Sequence, residues 1–179
     1  MITSAQITAP PISGLFNELV YDAQGSTENW TWVKLETNRF ETSYGQFKGS
    51  PIQVALSELN PYFYVLTKSF LYEINREDPS QFIALDYYDL AGSITNLTIT
   101  SLGELLLSSD YVLFKMPAPF NLITGDFIDS FIEIENPIHV DNIQFKNWHN
   151  DQLQIEADYL ATNKSVNLYF EATKNQVYK

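Results

Sequence analysis

Several strand-like stretches of this chain alternate apolar and polar positions, and two stretches roughly forty residues apart repeat one order of strand and turn. The first copy runs Ile52-Gln53-Val54-Ala55-Leu56-Ser57, turns at Asn60-Pro61, and continues through Tyr62-Phe63-Tyr64-Val65-Leu66-Thr67. After a short polar break it ends with Phe70-Leu71-Tyr72-Glu73-Ile74. The second copy runs Leu97-Thr98-Ile99-Thr100-Ser101, turns at Gly103, and continues through Leu105-Leu106-Leu107-Ser108. It breaks at Ser109-Asp110 and ends with Tyr111-Val112-Leu113-Phe114-Lys115-Met116. Strand, tight turn, strand, tight turn, strand is an antiparallel meander.

Further strands are predicted at Trp30–Leu35, Phe131–Glu135, Ile143–Lys146, Leu153–Ala157 and Val166–Phe170, from β-branched and aromatic residues and period-two alternation. Turn chemistry separates them at Asp22–Gly25, Tyr44-Gly45, Asn60-Pro61, Asn136-Pro137, Asn147–Asp151 and Asn163–Ser165. Helical spacing is weak; the best candidates are Pro11–Asn17 and Pro79–Phe82. Ile143–Phe170 reads as a third meander and Trp30–Phe47 as the end of a shortened one. The expected fold is therefore all-β, a single domain over residues 1–179, with residues 1–15 as an extended N-terminal arm. Regular strand spacing fits a propeller-like ring of about four meander units of roughly 45 residues and also a β-sandwich.

Residues Asn60–Ile74 and Gly103–Met116 resemble the middle and outer strands of a β-propeller blade. The resemblance covers about a third of the chain and implies a scaffold, with no activity attached. There is no Trp-Asp dipeptide at a strand end. Asp22-Ala23-Gln24-Gly25-Ser26-Thr27 departs from the Asp-box of sialidase-type propellers: one residue too many separates Asp from Gly, and Val20 stands where Ser or Thr belongs. Pro137–Phe170 is similar in style to β-rich tail and adaptor proteins of phage virions. That likeness implies a structural subunit.

Composition narrows the chemistry. The 45% hydrophobic and 15% aromatic fractions are those of a globular protein with a core of its own. With no cysteine, disulfides, thiolate catalysis and Cys-based zinc sites are excluded. The opening Met1–Gln6 has neither a basic region nor an apolar run, so no signal peptide is expected and the location expected is cytoplasm or virion. No window has the apolar length of a membrane helix. The sequons at Asn29, Asn96 and Asn163 fit chance occurrence.

Net charge is −12 and the isoelectric point about 4.4. Between Glu77 and Asp141 the acids face a single base, Lys115. Such a surface repels phosphate backbones, so nucleic acid is not an expected partner; it favours solubility and attraction to a basic protein.

No catalytic constellation stands out. The two histidines, His139 and His149, lack partners at metal-ligand spacing, no Ser lies in a Gly-x-Ser-x-Gly elbow, and no Gly-x-Gly pair offers a phosphate loop. Asp86-Tyr87-Tyr88-Asp89 and Asp126-Phe127-Ile128-Asp129 each place two acids beside aromatics, the pairing a glycoside hydrolase would use, and the second is also the candidate for calcium, without the ordered Asp ladder of a calcium loop. Acids three apart on a strand, however, point to opposite faces. No enzyme activity, cofactor or metal is expected. Trp148, placed in a polar turn, and Tyr87 and Tyr88, flanked by Asp86 and Asp89, are the aromatics expected at the surface, where such side chains anchor protein partners. The expected function is a structural or adaptor subunit, homo-oligomeric or part of a larger assembly. The alternatives are an acidic inhibitor of a basic protein and a carbohydrate-binding module.

Overall fold

The computed structural model describes residues 1–24, 29–87, 94–162 and 164–179. Among these, the chain is all-β: sixteen strands, two single 3-10 turns at Phe120–Leu122 and Ile128–Ser130, and no helix of seven or more residues. The strands form four sheets of four. The chain divides into two compact units, 1–89 and 90–179, where the sequence reading expected one domain.

The first unit holds two sheets. One contains β1 (Ile2–Thr8), β2 (Asn17–Tyr21), β3 (Trp30–Thr37) and β4 (Thr42–Lys48), in the order β1-β3-β4-β2. It is not the expected meander, because β2 crosses to the far edge and pairs parallel with β4. The second sheet is a plain meander of β5 (Pro51–Leu56), β6 (Tyr62–Thr67), β7 (Phe70–Asn75) and β8 (Phe82–Asp86). Val33, Leu35 and Phe47 of the first sheet share a core with Phe63, Val65, Tyr72 and Ile74 of the second. The Tyr72 hydroxyl closes that interface at its rim, donating to the Lys48 carbonyl at 3.1 Å and accepting from the Lys48 N–H at 3.0 Å.

The second unit repeats the arrangement with two meanders. One is β9 (Asn96–Ile99), β10 (Leu105–Ser108), β11 (Leu113–Met116) and β12 (Ile132–Ile134). The other is β13 (Val140–His149), β14 (Gln152–Tyr159), β15 (Lys164–Glu171) and β16 (Gln176–Tyr178). Leu106, Leu113 and Ile134 pack there with Ile143, Leu153, Ile155, Leu168 and Phe170. β14 shows the physical basis of its prediction: Leu153, Ile155 and Ala157 are buried, while Gln152 is exposed and Gln154 and Glu156 half-buried.

The two copies seen in the sequence share turn chemistry as well as strands. At the second turn of each copy, Thr67 Oγ1 accepts from the N–H groups of Ser69 and Phe70, and Ser109 Oγ from those of Tyr111 and Val112. A hydroxyl at the start of each turn captures backbone donors that the ladder releases.

Other expectations are corrected. Ile2–Thr8 of the expected arm is a strand paired with β3, and Ile2 is buried. Its pairing is irregular between Ile2 and Ser4, which breaks the alternation that would have revealed it. Tyr44-Gly45 is no turn but the middle of β4: without a side chain, Gly45 leaves room for the stacked Tyr21 and Phe47 rings, 4.2 Å apart. Neither Pro11–Asn17 nor Pro79–Phe82 is helical.

Candidate functional site

The residues singled out from the sequence do not form one exposed patch. Asp86 closes β8 and is exposed. Tyr87 is 3% exposed; its hydroxyl donates to the Thr67 carbonyl, and burial pushes the phenol well above its ordinary range. The expectation of a surface Tyr87 is therefore corrected: adjacent aromatics beside acids looked like a rim, but one of them is needed to close the β6–β7 turn. Tyr88 and Asp89 lie outside the described residues.

Trp148 is also corrected. It belongs to β13, one residue before that strand ends, and the turn itself is Asn150-Asp151 with Asn150 at φ 55°. Its ring packs edge-on to Phe170 at 6.4 Å, and its indole N–H donates to Thr98 Oγ1 at 2.9 Å, tying β13 to β9. An indole with its one donor satisfied and one edge in the core is chiefly a structural clamp.

The acid pairs show no convergence. Asp129 lies within the second 3-10 turn and Asp126 two residues before it, and both are exposed, as are His139 and His149. No group of three or more His, Asp or Glu capable of holding a metal occurs among the described residues.

Three surface features escaped the sequence reading. The first is the edge carrying β2, where Ile12, Leu15 and Val20 are 72%, 66% and 58% exposed and Phe16 leans on Tyr44 at 5.0 Å. The second is the β3–β4 hairpin tip, where Phe40 is 96% exposed. The third is a cleft of about 560 Å³ in the second unit, floored by Val112, Ile134 and Ile138, walled by Tyr111 and Leu160, and rimmed by Glu133, Glu135, His139 and Asp141. A volume of that size lies within the usual range for ligand pockets. Only the third had a sequence signal, the excess of acid between Glu77 and Asp141.

No protein-family model matches this sequence, and no curated protein matches it at a significant level. Among the described residues no helix is long and apolar enough to cross a membrane.

Proposed function

We propose that this protein is a structural or adaptor subunit that works by protein–protein contact within a larger assembly. The observation that carries the reading is the β2 edge. Edge strands expose unpaired backbone donors and acceptors, and natural proteins ordinarily protect them with charge, proline or a covering segment. Here the edge strand and the residues before it present Ile12, Leu15 and Val20 to solvent. An edge that exposes these apolar side chains beside a single charge, Glu18, suits a strand or loop added from another chain.

The four four-stranded sheets support a scaffold of blade-type units, each made from consecutive strands. In its most specific form the proposal is a tail or adaptor component of a phage virion, which rests on the sequence likeness alone. The native mass of the protein, alone and in extract from its source, tests the reading. A particle much heavier than the 20.5 kDa chain, lost in Val20→Lys, is the expected result. A monomer that captures only one small basic protein would replace this reading with that of an acidic inhibitor.

A further inference from the structure

One turn geometry occurs twice in this chain with different residues at its most demanding position. In Thr100-Ser101-Leu102-Gly103-Glu104, Thr100 Oγ1 accepts from the N–H groups of Leu102 and Glu104, and Gly103 N–H donates to the Thr100 carbonyl at 2.9 Å. In Thr37-Asn38-Arg39-Phe40-Glu41, Thr37 Oγ1 accepts from the N–H groups of Arg39 and Glu41, and Phe40 N–H donates to the Thr37 carbonyl at 3.0 Å. The fourth residue of each has positive φ, 84° at Gly103 and 61° at Phe40. In the β15–β16 turn the residue bonded in the same way to Ala172 is Asn175, at φ 51°.

Glycine and asparagine are the residues that accept this conformation; phenylalanine is not. Phe40 therefore strains its own turn, and its almost fully exposed ring contributes nothing to the core. Beside it stands Arg39. The chain has two arginines, and the other, Arg76, is built into the fold through bonds to the Ile2 and Ser57 carbonyls. Arg39 is exposed and joins no ion pair among the described residues. Arginine and a large aromatic, side by side on a rigid hairpin, are the residue types that dominate interface energetics.

The complement is present on the same molecule. The cleft of the second unit joins an apolar floor to a rim of Glu133, Glu135 and Asp141, none of them in an ion pair among the described residues. An aromatic ring fits the floor and a guanidinium fits the rim, where it would meet carboxylates in bidentate geometry.

We propose that the Arg39-Phe40 tip of one copy docks in the Glu133–Asp141 cleft of a second copy. This rests on the assembly reading above and names its partner. Made reciprocally the contact gives a two-fold dimer, and repeated in one direction it gives a closed ring or a filament.

Sedimentation over a concentration series tests the contact, using the full chain and three variants. Phe40→Gly installs the residue that the same turn carries at position 103, so it keeps the fold. It is expected to weaken self-association by about tenfold or more. Arg39→Glu and the pair Glu133→Lys with Glu135→Lys are each expected to remain monomeric alone and to associate with each other when mixed, since their charges are exchanged. A wild-type chain that stays monomeric across the series, or a Phe40→Gly chain that associates as wild type does, overturns the proposal. If the monomeric chain is still found in a heavy particle in extract, the self-contact falls and the assembly reading stands. If it is found in none, both fall.

Discussion

Tyr21 and Gly49 show how single positions set the tolerances of the first unit. The Tyr21 ring is stacked on Phe47, yet its buried hydroxyl has no hydrogen-bond partner among the described residues. Burial, and the nearby charge of Asp78, hold the phenol far above its ordinary value. An unsatisfied buried hydroxyl costs about 1–3 kcal/mol, so Tyr21→Phe should leave stability unchanged or raise it by about 1 kcal/mol in denaturant unfolding. Gly49 has the opposite character. It sits at φ 105°, and an added Cβ would come 2.8 Å from Thr67 Cβ. Its carbonyl accepts from Thr31 Oγ1 at 2.7 Å, so the backbone is held from both sides. Gly49→Ala should cost about 2 kcal/mol or more, read as a lower unfolding midpoint with an unchanged slope.

At the scale of elements, a polar ladder on the outer face of β14 adds to the register that its buried face sets. Glu156 on β14 lies between Lys146 on β13, at 2.7 Å, and Ser165 on β15, whose hydroxyl donates to it at 2.8 Å. The hydrogen bonds and positive charge of Lys146, with the hydroxyl of Ser165, hold the Glu156 carboxyl below its ordinary value of 4.5. A carboxyl depressed in the folded state stabilises above its unfolded value and loses that contribution as pH falls through its folded value. Glu156→Gln should therefore be less stable than wild type at neutral pH, and the difference should close as the pH falls below the ordinary carboxyl value and through the lower folded one. Thermal unfolding of both proteins across the acid range measures it. The effect is small because the pair is at the surface.

At the scale of the molecule, burial of phenols distinguishes the first unit. Tyr21, Tyr64, Tyr72 and Tyr87 all belong to residues 1–89, and desolvation is the leading cause that raises each above the ordinary value of 10.0. Tyr64 is raised further by the buried Glu73 carboxylate that accepts its hydroxyl at 2.9 Å. A raised phenol favours the folded state by nothing extra below the unfolded value and lowers stability as pH climbs past it, because only the unfolded chain can release the proton. Alkaline unfolding should then begin in residues 1–89 above about pH 10, detected as earlier loss of amide-exchange protection there than in residues 94–179. Simultaneous loss in both units would show that they unfold as one cooperative body.

The sequence by itself determined the strands written as short apolar runs bounded by turn residues. Tyr62–Thr67 and Leu105–Ser108 were read to the residue, because a short apolar run between turn residues is a local signal of a strand buried on both faces, as these two are. It also determined the acidic field that the cleft rim draws on. Tertiary structure alone decided the rest. The parallel partner of β2, the inward turn of Tyr87 and the clamping role of Trp148 depend on which distant segment covers each residue, and one strand's pattern carries no record of that. The candidate contact followed the same division: Phe40 lay in plain sight, but its strain became visible only when its turn was set beside the equivalent turn at Gly103.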